Sequence, residues 1–313
     1  MASHNLFLGM YSLGIKKKFG KNSDLISTND FLSNAYNDVE KKFEEGFVQD
    51  IIKQLDTEKS FKNSKNTHGG ILEKFDFNNS ERTLDLLING GLTGVKQYII
   101  NEEKEKKIVS DKDIVGLVFF ARIWFPSNSN SAFIFIQKHG SLSIKPLYDE
   151  LLKKVLNPHD FGILGRKLQA TTTKRRQKEF LKNSNVLDIT IVSKKSVFDT
   201  ASISAKTATI KFSSIKNSSQ KVDKNDIKTL LLRHGVSFDD KGSVIKVTYG
   251  RSFESYKEKK TVEIDDTEET INIIPNIKVP NECINADNSP NFKKMQGFVD
   301  AEMTQIIKEA KKS

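Results

Sequence analysis

The order of apolar and polar residues near the N-terminus predicts a helix between two strands. Apolar positions alternate loosely over residues 4–13 and again over residues 71–77, with the two-residue period of a half-buried strand. Between these runs, apolar residues over 30–55 recur at helical spacing, and Thr28 or Asn29 is the candidate N-cap. The chain therefore opens with a mixture of strand and helix.

A β-hairpin is the clearest predicted unit. Residues 114–125 and 132–137 are rich in β-branched and aromatic side chains, and a turn-forming loop, residues 126–130, joins them. The apolar composition of both runs indicates that the hairpin is buried. The next segment, Lys145–Leu156, has helical spacing, a proline in its first turn and Asn157-Pro158 after its end.

After residue 185 the pattern changes to short alternating strands. These strands enclose one helix, residues 223–233, and a terminal helix is predicted over residues 291–311. The predicted strands are residues 186–192, 205–212, 244–249, 261–264 and 270–279. Because strands and helices follow one another without a regular βαβ rhythm, the pattern predicts an α+β fold.

The predicted elements divide the chain into two parts. An N-terminal α+β domain with the buried hairpin spans residues 1–165, and a basic exposed connector spans residues 166–185. A strand-rich C-terminal domain with the terminal helix spans residues 186–313. A chain of 313 residues is long enough for two ordinary domains, and its 21 phenylalanines supply bulky core material.

Charge is distributed unevenly along the chain, which has a net charge of +10. Residues 166–262 carry 22 Lys and Arg against 9 Asp and Glu, a net charge of +13, whereas residues 1–165 are near neutral at +1 and residues 263–313 carry −4. A block this basic indicates a surface for polyanions. Lysine supplies 43 of the 50 basic residues, as an AT-rich genome alone would favour, but three of the seven arginines fall within eleven positions.

Residues 166–182, RKLQATTTKRRQKEFLK, contain that arginine cluster and form the main candidate binding surface. Between Leu168 and Phe180 the only apolar residue is Ala170, so the middle of the segment has no face to bury and is expected to be exposed. Exposed lysine, arginine and threonine side chains are suited to phosphate contacts. A solvated inter-domain linker helix is the alternative interpretation, and the sequence leaves it open.

In a helical conformation this segment would place Arg175, Lys178 and Lys182 in one stripe, with Lys174 beside it. The candidate nucleic-acid-binding residues are Arg166, Lys167, Lys174, Arg175, Arg176, Lys178 and Lys182. The expected partner is DNA or RNA, contacted through its phosphate backbone.

No motif in the sequence identifies a catalytic reaction. His139 lies before Gly140 and Ser141 in what we interpret as a turn, and the pair His159-Asp160 lacks further ligands at metal-site spacing. The only partial match to a metal-dependent nuclease is Glu73-Lys74 near Asp76. We therefore expect no metal and no cofactor, and the catalytic residues, if any, are unknown.

The single cysteine, Cys283, excludes an intrachain disulfide and a cysteine-cluster zinc site. No apolar run is long enough for a membrane-spanning helix, since the best candidate, residues 114–125, is too short and contains Arg122. The N-terminus shows no secretory signal pattern. The expected location is the cytoplasm.

Residues 115–152, VGLVFFARIWFPSNSNSAFIFIQKHGSLSIKPLYDELL, are followed after a basic stretch by VLDITIVSKKS. The outline is a hairpin whose second strand ends in Gln and Gly, a helix beginning at Ile-Lys, and a strand that opens a second domain. In this outline the chain resembles an uncharacterised family of bacterial proteins encoded in prophages and phage-defence islands. The resemblance implies a role in conflict with phage or mobile DNA, and because its motifs are structural it assigns no functional residue.

The sequence thus favours a nucleic-acid-interacting protein of bacterial antiviral defence, which contacts the phosphate backbone through residues 166–262. Two alternatives remain open. One is an effector nuclease with a degenerate metal site. The other is a scaffold or sensor that binds a protein in a defence complex, with the cationic region facing an acidic partner.

Overall fold

The computed structural model describes residues 6–19, 21, 24–36, 42–55, 60–94, 97–100, 106–110, 114–193, 199–200, 203–204, 208–213, 224–233, 243–253, 256–264 and 273–311. The chain forms two compact units. Unit 1 consists of Met1–Thr171 together with Ile277–Ser313, and unit 2 consists of Thr172–Asn276. Helices pack on antiparallel sheets in both units, so the predicted α+β class is confirmed.

The N-terminal part of unit 1 is dominated by strands. They are β1 (Leu6–Leu13), β2 (Ile15–Lys17), β3 (Leu25–Ile26), β4 (Phe61–Lys62), β5 (His68–Asn78), β6 (Thr83–Leu92), β7 (Gln97–Ile100), β8 (Lys106–Val109), β9 (Val115–Trp124), β10 (Ala132–His139), β11 (Leu142–Ser143), β12 (Phe161–Ile163) and β13 (Gln169–Ala170). The helices are α1 (Thr28–Ala35), α2 (Gln49–Gln54) and α3 (Lys145–Leu156), with a π-helix at Lys42–Val48 and 3-10 turns at Asn157–His159 and Leu164–Arg166.

The main sheet of unit 1 has the strand order β13-β1-β10-β9-β6-β5-β4, and all its pairs are antiparallel. The predicted buried hairpin is confirmed as β9 and β10, at the centre of this sheet. Each face of the hairpin belongs to a different hydrophobic core. Phe119 and Ile134 pack against α1, α2 and α3, whereas Phe120 and Phe135 lie on the opposite face. Burial on both faces explains why the hairpin is apolar almost throughout.

The single helix predicted over residues 30–55 is wrong. Helix α1 ends at Ala35, Tyr36 is extended (φ −129°, ψ 115°), residues 37–41 lie outside the described residues, and a π-helix leads into α2. The periodic spacing arose because both helical pieces face one core, where the rings of Phe31 and Phe47 lie 6.3 Å apart. The N-cap is Ser27, and neither predicted candidate takes that position.

Unit 2 contains α4 (Lys174–Lys182), β14 (Asn185–Ser193), β15 (Asp199–Thr200), β16 (Ile203–Ser204), β17 (Ala208–Ser213), α5 (Lys224–Arg233), β18 (Ser243–Phe253) and β19 (Tyr256–Ile264). Four strands form an antiparallel sheet in the order β17-β14-β18-β19. Phe180 of α4 and Ile227 of α5 pack with Ile189 and Val247 of the sheet. Both helices therefore lie on the same face of this sheet.

The chain returns to unit 1 through β20 (Ile277–Lys278), a 3-10 turn at Asn281–Cys283 and α6 (Phe292–Ala310). Strand β20 pairs with β1, and α6 covers the second face of the main sheet with Met295, Val299 and Met303. The contacts therefore divide the chain before residues 172 and 277, and not at the expected positions 166 and 186. Among the described helices, none combines the length and the apolar composition that crossing a bilayer requires.

Candidate nucleic-acid interface

Helix α4 carries five of the seven predicted binding residues and is fixed in unit 2 at both ends. At its start, the N-cap residue Thr173 is buried, and its hydroxyl accepts a hydrogen bond of 3.2 Å from the backbone N–H of Arg176. Near its end, Phe180 is completely buried in the core. The guanidinium carbon of Arg251 lies 4.7 Å from the centroid of the Phe180 ring, which adds a cation–π contact. One face of α4 is thus committed to the core.

The opposite face of α4 presents the charges. Lys174, Arg175, Lys178 and Lys182 are all exposed, and the helical conformation on which the predicted stripe depends is observed. Arg176 differs from them, because it is partly buried and donates to the carboxylate of Glu179 at 3.1 Å. The cationic surface of α4 is therefore the four exposed residues, which we call the α4 stripe.

The first turn of α4 is basic and contains no acidic residue. Lys174, Arg175 and Arg176 follow the N-cap directly, where the helix dipole places a partial positive charge. Cations at that end are unfavourable by roughly 0.3–1 kcal/mol each, whereas anions are favourable. The arrangement therefore works against helix stability and favours an anion at this end of the helix.

Arg166 and Lys167 belong to unit 1 and not to the helix. Arg166 ends a 3-10 turn with a positive φ of 64°, Lys167 is extended, and both side chains are exposed. The next residue, Leu168, is buried in unit 1, and its N–H donates to the Asp149 carboxylate at 2.8 Å. The seven predicted residues are thus divided between the two units, two in unit 1 and five in unit 2.

The face of the unit 2 sheet opposite the helices is mixed in charge. Val247 and Tyr249 point to the core, so the alternate positions of β18 lie on the other face. There Lys246 pairs with Glu263 at 3.1 Å, while Lys257 and Lys259 of β19 are exposed. This face carries hydroxyls and acids among its lysines, so its positive charge is less concentrated than that of the α4 stripe.

An ion pair with a buried carboxylate, at the end of unit 2, was not predicted from the sequence. Glu258 is 1% exposed and accepts from Nε of Arg251 at 2.8 Å and from the N–H of Asn276 at 2.7 Å. Arg251 also donates to the carbonyl of Asn276 at 2.8 Å. Arg251 lies directly opposite Glu258 across the β18–β19 hairpin, so the register of these two strands would have indicated the pair. The charge of Arg251 is committed to the fold.

The candidate nuclease residues do not converge on a metal site. The pairing of β5 with β6 shifts register between Leu72 and Lys74, so Glu73 lies at a bulge. Asp76 accepts from Gln296 of α6 at 2.9 Å. Among the described residues, no group of three or more His, Cys, Asp or Glu side chains is arranged to hold a metal ion.

The carboxylates near Asp76 surround a buried arginine instead. Arg122 of β9 makes a two-pronged contact with Asp85 of β6, at 2.6 and 2.8 Å, and a further contact with Asp300 of α6. Gln296 bridges Asp76 and Asp85 with hydrogen bonds of 2.9 and 2.8 Å. This network joins α6 to the sheet, which is a structural role.

The two histidines considered as candidates also have structural partners. Nε2 of His139 lies 3.0 Å from the carbonyl of Val118, close to where the β9–β10 pairing ends. Nε2 of His159 lies 2.9 Å from Asp50, whose carboxylate also accepts the hydroxyl of Tyr36 at 3.0 Å. Burial and the Asp50 carboxylate raise the pKa of Tyr36 well above its usual value. The hydroxyl therefore stays protonated as a donor.

Comparison with protein-family models, with curated proteins and with solved structures finds no match for this chain.

Proposed function

We propose that this protein binds nucleic acid through the α4 stripe and serves in the bacterial cytoplasm in defence against phage or other mobile DNA. The observation that carries the binding proposal is the stripe itself, four exposed cations on one face of a helix whose other face is anchored by Phe180. The defence role is supported by the resemblance of residues 115–152 to prophage and defence-island proteins.

Contacts of this kind address phosphates and not base edges. Lysine and arginine on a short helix face neutralise backbone charge and release counterions, so binding is expected to be largely independent of sequence. Each neutralised phosphate contributes roughly −0.9 to the slope of log affinity against log salt on duplex DNA, so four contacts give a slope of about −3.6. A flat salt response would contradict phosphate contact.

The test compares two variants that each remove four positive charges from unit 2. The first replaces Lys174, Arg175, Lys178 and Lys182 with Ala, and its matched control replaces Lys211, Lys246, Lys257 and Lys259, on strands of the unit 2 sheet, with Ala. Affinity for labelled duplex and single-stranded DNA and RNA is measured by fluorescence anisotropy at about 50 mM salt and above.

We expect the α4 variant to lose about tenfold in affinity or more, which is about 1.4 kcal/mol. Its melting temperature should be unchanged, because the four side chains are exposed and alanine has the higher helix propensity. The control variant should lose less. Equal losses would indicate that only net charge matters, and an unchanged affinity of the α4 variant would remove the proposal.

A further inference from the structure

An exposed phenylalanine lies among lysines at the turn that follows β2. Phe19 is 93% exposed, the largest value among the exposed large apolar side chains of the described residues. It stands within the sequence IKKKFGK, and its neighbours Lys17, Lys18 and Lys21 are also exposed. The turn belongs to unit 1, so it is distinct from the α4 stripe.

The residues beside Phe19 are held by strand pairing and by hydrogen bonds of their backbone N–H groups. Strand β2 is the middle strand of a small sheet, between β12 and β3. The N–H of Lys18 donates to the carbonyl of Asp160 at 2.8 Å. On the other side, the N–H of Lys21 donates to the carboxylate of Asp24 at 2.9 Å. Lys18 and Lys21, which flank Phe19 in the sequence, are therefore each held by a hydrogen bond, to Asp160 and to Asp24.

The chemistry of the turn fits a ligand that combines a flat apolar surface with phosphates. Because the Phe19 side chain is almost fully exposed in the free protein, a ligand that covers the ring gains the hydrophobic free energy of its burial. The ammonium of Lys18 lies 5.9 Å from the ring centroid, so a ligand on the ring meets positive charge within a few ångströms. An unpaired nucleotide has a stacking face and a phosphate at that scale.

We propose that Phe19 stacks on an unpaired base while Lys17, Lys18 and Lys21 contact the flanking phosphates. This inference rests on the proposed function, nucleic-acid binding, and adds a second contact, on unit 1, with a preference for single strands. Bases inside a duplex already stack on their neighbours and offer no free face, whereas unpaired bases stack on exposed aromatic side chains. The stacking is independent of base identity, because every base has a π-face.

The test separates base stacking from phosphate attraction with two ligands of equal charge. One is an oligothymidine of about twenty nucleotides, and the other is an abasic strand of the same length, which keeps the phosphates and lacks the bases. The variants are Phe19→Ala and Phe19→Trp, both at an exposed position where stability should not change. The wild type supplies the fluorescence background of the buried Trp124.

Phe19→Ala should bind oligothymidine about five- to 150-fold more weakly than the wild type, since stacking contributes roughly 1–3 kcal/mol per base. On the abasic strand the two proteins should have equal affinity. Phe19→Trp should retain wild-type affinity for oligothymidine, and its additional emission should be quenched on binding, because the indole stacks on the base. A purely electrostatic turn would produce neither the ligand dependence nor the quenching.

The outcomes separate this inference from the proposed function. Equal affinity of Phe19→Ala and the wild type for oligothymidine overturns the stacking, even where the α4 variant binds weakly. Conversely, a loss of affinity confined to Phe19→Ala supports the stacking and contradicts the proposed binding role of the α4 stripe.

Vesicles of phosphatidylserine and phosphatidylcholine serve as the second ligand class. A blue shift of Phe19→Trp emission with vesicles, without quenching by oligothymidine, assigns the turn to a membrane surface and overturns the inference.

Discussion

At the scale of single residues, this protein separates charges that hold the fold from charges that face solvent. Arg122 is buried against Asp85 and Arg251 is partly buried against Glu258, so their guanidinium groups stabilise strand pairs and contact helices. Arg175, by contrast, is exposed on α4. Burial, and not residue type, therefore decides which arginines are candidates for binding.

Replacing Arg122 should destabilise unit 1 more than any exposed substitution. Arg122→Met leaves the Asp85 carboxylate, itself 4% exposed, without its arginine partner, and breaking a buried ion pair in this way typically costs about 3–5 kcal/mol. Asp300→Asn should cost less than about 1 kcal/mol, since the Asp300 side chain is 53% exposed. Urea unfolding monitored by Trp124 fluorescence compares the two. Similar losses of unfolding free energy for both variants would mean that Arg122 is stabilised mainly by its contact with Asp300 of α6.

At the scale of elements, most strands and helices could be predicted from the sequence, whereas the break within a predicted helix could not. The limits of α3 and the hairpin of β9 and β10 were predicted because proline, turn residues and β-branched runs mark them locally. The break after Ala35 was missed, because both helical pieces bury the same face and the spacing continues across them. In the candidate site, the α4 stripe followed from spacing, whereas the Arg176–Glu179 pair and the Arg251–Glu258 pair required three-dimensional neighbours.

Within α4, exposure should rank the effects of single substitutions on binding. Arg175→Ala removes an exposed guanidinium and should weaken binding by about twofold, on the basis of under 0.4 kcal/mol per charge. Arg176→Ala removes a partly buried guanidinium that is already bonded to Glu179, so affinity should change less. Anisotropy titrations of both variants on the same duplex provide the measurement. A larger loss for Arg176 would show that the ion pair opens on binding.

At the scale of the whole molecule, unit 2 is an insertion in unit 1. The last strand before it, β13, pairs with Tyr11 and Ser12 of β1, and the first strand after it, β20, pairs with Phe7 and Leu8 of the same strand. The two junctions are therefore about three residues apart along β1, on the order of 10 Å. A short linker is long enough to join them.

Replacing residues 172–276 with a short glycine-serine linker should leave unit 1 folded. Among the described residues, every buried member of its two cores lies in Met1–Thr171 or Ile277–Ser313, so unit 2 contributes none of them. The shortened protein should keep the blue-shifted emission of buried Trp124, retain the Phe19 contact and lose the contribution of α4. Solvent-exposed tryptophan emission would instead show that unit 1 depends on unit 2.

Helix α6 follows unit 2 in the sequence, so it is synthesised well after the strands of unit 1 that it covers. The apolar face formed by Leu8, Phe120 and Phe135 is covered by residues of α6 and of the segment around β20. More than one hundred residues separate β13 from α6, so at about 5–20 residues per second the ribosome takes on the order of ten seconds to supply the cover. During that interval the apolar face of the nascent sheet is exposed to solvent. We therefore expect chaperones that bind nascent chains to bind this face.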